Sequence, residues 1–196
     1  MKKNIKSTKV NPKNSSPDLI DVIRDEEYRR AVAMLKKTLK KVEQSSGPNH
    51  LYVANVLNNL AALYHKYGKP RGAEPLFKSA LAIEEKVLGP DHADVARTLI
   101  NLAMVYEDLN QFSEAETYCE RALEIREKAL GTDHPDVINA MEDLARIYSN
   151  QKKHYAKAET LYERVLEIRI KGLNPILSTL RGLLFLHHRH GEQEKR

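Results

Sequence analysis

A 42-residue period runs through this 196-residue chain and restricts what it can fold into more than any other feature. Asp91-His92 returns as Asp133-His134, and Asn49-His50 is a blurred earlier copy. Residues 51–92 laid over 93–134 without a gap are identical at 18 of 42 positions. The identities include Leu57/Leu99, Asn59/Asn101, Leu60/Leu102, Ala61/Ala103, Tyr64/Tyr106, Ala73/Ala115 and Gly89/Gly131. A unit of this length is one supersecondary element that cannot bury its own apolar face, so successive copies must stack and share a core. In such a chain, function belongs to a surface rather than to a catalytic pocket.

Within each unit the apolar residues follow helical spacing. Leu57, Leu60, Ala61 and Tyr64 stand at i, i+3, i+4 and i+7, on one face of a helix. After a turn expected at Tyr67–Gly72, a second set appears at Ala73, Leu76/Phe77, Ala80, Leu81 and Ile83/Leu88. Each unit is therefore helix A, turn, helix B. Gly47, Gly89 and Gly131 are expected to close the B helices as left-handed caps. Pro135, with Asp136 beside it, suits the first turn of a helix. Ser113-Glu114-Ala115-Glu116 has the form of a capping box opening the B helix of the second unit.

The third copy inserts one residue near Lys152–His154, so that Ala158 follows Ala115 by 43. After Leu173, Ile176, Leu180, Leu183 and Leu184 repeat the helix A pattern alone, which predicts a terminal capping helix. At the other end Tyr28–Gln44 matches helix B. Pro12 and Pro17 break the helix A that would precede it, leaving at most a short helix over Asp18–Arg24.

A small residue after the central Leu, Tyr three positions later, and Ala at the start and middle of helix B resemble the tetratricopeptide repeat. More narrowly, three runs are similar to the 42-residue variant of kinesin light chains: Leu99-Ile100-Asn101-Leu102-Ala103 through Tyr106, Ala115-Glu116 with Ala122 to Lys128, and Leu130-Gly131-Thr132-Asp133-His134-Pro135-Asp136-Val137. The resemblance covers about residues 28–187. It implies an all-α solenoid of antiparallel helix pairs, with three full repeats, a partial N-terminal repeat and a C-terminal cap. The expected organisation is a disordered basic tail over 1–17 and a repeat domain over 18–190. That domain holds a partial repeat at 18–47, repeats at about 51–89, 93–131 and 135–173, and the cap at 175–187. A polar tail follows at 188–196. Motor association is not implied by the repeats alone, since no heptad region of the kind that grips a heavy chain precedes them here.

In this family the A helices line a concave groove. Mapped onto this chain, the resemblance puts Asn55, Asn58, Asn59, Arg97, Asn101, Met104, Asn139, Asp143, Arg146 and Arg181 on that surface. Asn59 and Asn101 fall where related repeats use an amide to hold the backbone of an extended peptide, a task for which Asn offers both donor and acceptor. Asp143 breaks the series, keeping the acceptor and losing the donor. The alternative for Asn59 and Asn101 is that they tie neighbouring A helices together. The implied function is a non-catalytic scaffold or adaptor that holds a segment of a partner protein. A structural subunit that assembles through its repeat edge or convex face is the other reading.

Composition narrows the rest. The sequence pI near 9 suggests nucleic acid, but Lys2, Lys3, Lys6, Lys9 and Lys13 supply the whole excess; without them basic and acidic residues balance at 27 each. No nucleic-acid partner is expected, and no membrane partner, because no run approaches 18 apolar residues. The single Cys119 excludes an internal disulfide and fits a cytoplasmic location. Cys119 stands in register with Phe77, which makes it a small core residue. His50, His92 and His134 recur with the loop, which suits capping rather than catalysis. No Gly-rich phosphate loop or paired-cysteine metal motif is present. Neither an enzyme, a cofactor, a metal nor a small-molecule substrate is expected, and the chain is expected to be a monomer or weak homo-oligomer.

Overall fold

The computed structural model describes residues 19–151 and 154–173, with side chains described from position 24 onward. The tail over 1–17, the cap over 175–187 with Arg181, and the polar tail lie outside the described residues. Helices alone make up the described chain: α1 (Leu19–Ser46), α2 (Leu51–Lys66), α3 (Pro70–Leu88), α4 (Ala93–Asp108), α5 (Phe112–Leu130), α6 (Pro135–Ser149) and α7 (155–173). Each helix packs against the next in sequence, giving the pairs α2/α3, α4/α5 and α6/α7 of an α-solenoid.

Small residues set the closeness of these pairs. Ala61, Ala103 and Ala145 on the A helices and Ala73, Ala115 and Ala158 on the B helices are all buried. No side chain holds the backbones apart there, so larger neighbours such as Phe77, Leu99, Leu102 and Met141 interdigitate around them. One core runs from Ala61 through Val165, and a second, smaller one gathers Val53, Ala54, Leu57, Ala80 and Ile83 against Leu39 and Val42 of α1. Tyr28 of α1 lies edge-on to Tyr64, tilts over Tyr67 and carries the Lys69 ammonium 3.9 Å from its ring centre.

Four local expectations change. The N-terminal partial repeat is one helix of 28 residues rather than a short helix followed by a longer one. The turn between α2 and α3 spans only Tyr67–Lys69, because Pro70 opens α3 with its preset φ. Gly72 thus lies inside the helix, where an added Cβ would meet the Tyr64 ring at 2.8 Å. Ser113–Glu116 caps nothing: α5 opens at Phe112 after Gln111, and the Glu116 carboxylate faces Gln151, His154 and Lys157 instead. Gly89 and Gly131 have positive φ as expected, at 90° and 82°, but extended ψ of 157° and 161°. That region is closed to side chains, so glycine is required by a different conformation from the left-handed cap. Pro135 does open α6.

Candidate functional site

The A helices carry matching exposed or half-exposed stripes. On α2 the stripe is Asn55, Asn59, Ala62 and Lys66; on α4 it is Arg97, Asn101, Met104 and Asp108; on α6 it is Asn139, Asp143, Arg146 and Asn150. Steps of four, three and four residues keep each stripe on one helical face. The 42-residue period aligns the three stripes into rows: Asn55/Arg97/Asn139, then Asn59/Asn101/Asp143, then Ala62/Met104/Arg146.

The C-terminal ends of the A helices are stapled to one another. His65 Nε2 lies 2.8 Å from Asp108 Oδ2. The Arg146 guanidinium pairs with Glu107 and, at 3.0 Å, with Asp143 Oδ1, while Asn150 Nδ2 donates to Glu107 Oε1 at 2.9 Å. Burial pulls the Arg146 pKa down, but the hydrogen bonds to Glu107 and Asp143 outweigh it and hold the guanidinium charged. The charged residues expected in this part of the groove are thus already matched within the stack.

The N-terminal rows differ. The side-chain amides of Asn55, Asn59, Asn101 and Asn139 make no hydrogen bond to another described residue. Arg97 is exposed and its Nη2 pairs with Asp94 Oδ1 at 2.9 Å, one turn back on the same helix. Met104 adds an exposed apolar side chain. Asn58 needs correction. It turns between helices: Nδ2 donates to Glu84 Oε1 of α3 at 2.8 Å and to Thr98 Oγ1 of α4 at 3.0 Å, and Oδ1 is buried. Both amide hydrogens being spent, Asn58 serves cohesion rather than the groove. The ties between A helices come from Asn58, His65 and Glu107, not from Asn59 or Asn101.

Several contacts were not anticipated from sequence. Glu85 pairs with Arg121 at 2.6 Å and Glu127 with Arg164 at 2.9 Å, one ion pair repeated between successive B helices. The signal was present, since Glu85/Glu127 and Arg121/Arg164 recur with the period. Tyr106 donates to Glu74 at 2.9 Å, but in the next unit Tyr148 donates to Glu120 at 2.5 Å, because Glu120 replaces Lys78.

The histidines and cysteine behave structurally. Nδ1 of His50, His92 and His134 accepts the backbone N–H of Tyr52, Asp94 and Asp136 at 3.1–3.2 Å, an N-cap in all three units. Cys119 is fully buried, and burial pushes its thiol pKa up to about 12, far from the thiolate chemistry a nucleophile needs. Among the described residues there is no cluster of three or more potential metal ligands, and no helix is long and apolar enough to cross a membrane.

Comparison with known proteins agrees with this geometry. A search of curated proteins finds no match. Among solved structures, the chain is similar to the nearly identical TPR-like repeats of a Podosopora anserina protein assigned by name to the kinesin light chains. Identity is 25%, with 76% of this chain and 70% of that one covered at a TM-score of 0.68. BtubC (BKLC) from P. vanneervenii is 26% identical over 74% of this chain, at a TM-score of 0.67, and the match spans 58% of BtubC. MamA from Desulfovibrio magneticus RS-1, at 20% identity, 78% and 72% coverage and a TM-score of 0.55, shares the fold. The tetratricopeptide repeat model matches residues 21–86, 72–118 and 95–171, and with this register of stacked helix pairs the chain belongs to the tetratricopeptide repeat family.

Proposed function

We propose that this protein is a non-catalytic interaction module whose A-helix surface holds an extended segment of a partner protein. The observation that carries this reading is the split within the stripes. Their C-terminal ends are tied off by internal hydrogen bonds and ion pairs, whereas Asn55, Asn59, Asn101 and Asn139 keep unspent amides facing outward. Amides that offer donor and acceptor together suit peptide backbone, which presents the same pair at each residue. With Arg97 and Arg146 each matched by a carboxylate of the chain, recognition rests on backbone and neutral polar groups more than on charge. Family likeness supports protein partners in general.

The test combines Asn59→Ala, Arg97→Ala and Asn101→Ala in one variant. Peptides are first selected from a displayed library of unstructured 12-mers, a length of about 40 Å extended, against the whole chain. Loss of three hydrogen bonds at roughly 0.5–1.5 kcal/mol each should weaken the selected peptide at least about tenfold. The melting temperature should stay within about 2 °C, since these side chains support no buried contact. A variant that melts much lower, in step with its loss of binding, would assign the three residues to cohesion instead.

A further inference from the structure

Charge is distributed unevenly along the stack. Residues 24–88, from α1 to α3, hold 12 basic and 7 acidic side chains, whereas residues 89–149, ending with α6, hold 5 and 13. The A helices, which carry the stripes, follow the same gradient. α2 holds Lys66 and no acid. α4 sets Asp94, Glu107 and Asp108 against Arg97, and α6 sets Asp136, Glu142 and Asp143 against Arg146. Pairing inside the stack does not cancel the difference. Arg97 is matched by Asp94, and Glu142 by Arg169 of α7. Arg146 serves both Glu107 and Asp143, two carboxylates on one guanidinium, and Asp108 meets only the His65 ring. At the other end of the surface Lys66 is exposed and makes no ion pair with a described residue.

The row Asn59, Asn101, Asp143 turns this gradient into a preference. The amides on α2 and α4 offer donor and acceptor, but the Asp143 carboxylate only accepts, and Arg146 reaches its Oδ1 alone. The Asp143 side chain is 30% exposed, so a group lying in the row above α6 can touch it. A carboxylate there would meet a like charge, whereas an ammonium or guanidinium brings both the donor and the charge that the position lacks. α2 and α6 stand two helix spacings apart, about 16–20 Å, beyond the Debye length of about 8 Å at physiological salt. The two ends of the surface therefore act separately. We propose that Asp143 selects the partner segment: a Lys or Arg of that segment lies over α6 against Asp143, with no acid beside it. This preference rests on the groove reading above and adds the partner's charge and its direction across the A helices. Amides hold the backbone, while the charge contact sets discrimination more than affinity.

A double-mutant cycle in the full-length chain tests the preference. Peptides are selected from the same 12-residue library, and those that lose binding to the variant combining Asn59→Ala, Arg97→Ala and Asn101→Ala are kept. They should share a Lys or Arg position. Changing that peptide residue to Gln should weaken binding to the unsubstituted chain at least about threefold at low ionic strength. Asp143→Asn, which restores the amide of the other two units, should weaken the original peptide by a similar factor. Both changes together should cost little more than either alone. Recovering no peptide that depends on the three groove residues would overturn the groove reading, and the preference with it. Groove-dependent peptides that share no basic position would overturn the preference alone. So would a basic residue that matters as much against Asp143→Asn as against the unsubstituted chain. The Gln peptide needs no folded variant, and unchanged affinity for the unsubstituted chain would also overturn the preference.

Discussion

Glu84 shows how much one side chain can decide. It is 1% exposed at the junction of α2, α3 and α4, where Asn58 Nδ2 donates to its Oε1 and Thr98 lies alongside. Its Oε2 and the Asn58 Oδ1 are both buried without a hydrogen-bond donor among the described residues. Two acceptors without a donor are costly in a low-dielectric site, and a proton on Glu84 supplies what is missing. Burial accordingly raises the Glu84 pKa; the hydrogen bonds from Thr98 and Asn58 and the nearby Arg97 charge oppose the shift without cancelling it, and Asp94 adds to it. The folded state therefore binds this proton more tightly than the unfolded chain does. The Glu84 contribution to stability is fully present below the unfolded pKa and fades as pH rises through the raised folded value. Glu84→Gln places an amide donor there at every pH. It should stabilise the protein by about 1–3 kcal/mol at pH 8, with little gain at pH 4. Urea unfolding of both proteins at the two pH values checks this, and parallel pH profiles would remove Glu84 from the account. Nothing in the sequence marked the residue, because the period does not repeat it. Arg126 and Arg169 occupy the same register in the next two units, and Arg169 pairs with Glu142 at 2.8 Å.

Among the elements, helix identity was legible because the apolar spacing repeats three times, while helix ends were legible only where a residue acts alone. Pro135 and the recurring histidines are of that kind. Each His sits outside its helix with extended backbone and accepts the N–H two residues on, replacing the Ser, Thr, Asp or Asn usual at this position. Ser113 misled because its pattern was local: Pro70 and Phe112 set the start of the B helices earlier than the apolar spacing implied, and Glu116 was drawn away by α7. The same limit applies to the groove. Its rows follow from the period, but which amides are spent depends on contacts across helices, and Asn58 differs from Asn59 only by about 100° around α2. For the caps, His92→Ala should cost about 1 kcal/mol, or a few degrees in melting temperature, and His92→Asn should recover most of it. Equal losses for Ala and Asn would mean the ring acts by packing and not by accepting the Asp94 N–H.

Across the whole molecule, the contacts join neighbours: Glu85 with Arg121, Glu127 with Arg164, Glu107 with Arg146 and Asn150. Stability in such a stack is close to a sum over units and their interfaces, so it should grow with copy number. A second copy of residues 93–134 inserted after His134 gives a direct test, because the new junction His134-Ala93 reproduces the existing His92-Ala93. Most of the new interface is also native in kind. Arg126 would reach the carbonyl of the copied Asp94, the register equivalent of Asp136; the differences include Thr98 in place of Ala140 against Cys119 and, beside Glu107, Met104 and Asp108 in place of Arg146 and Asn150. The extended chain should unfold in one transition, melt a few degrees higher, and show a urea m-value larger by roughly a fifth, in proportion to the surface added. Two separate transitions, or a lower melting temperature, would mean the units are not interchangeable and that cohesion depends on contacts particular to each junction, such as Asn58 with Glu84 and Thr98.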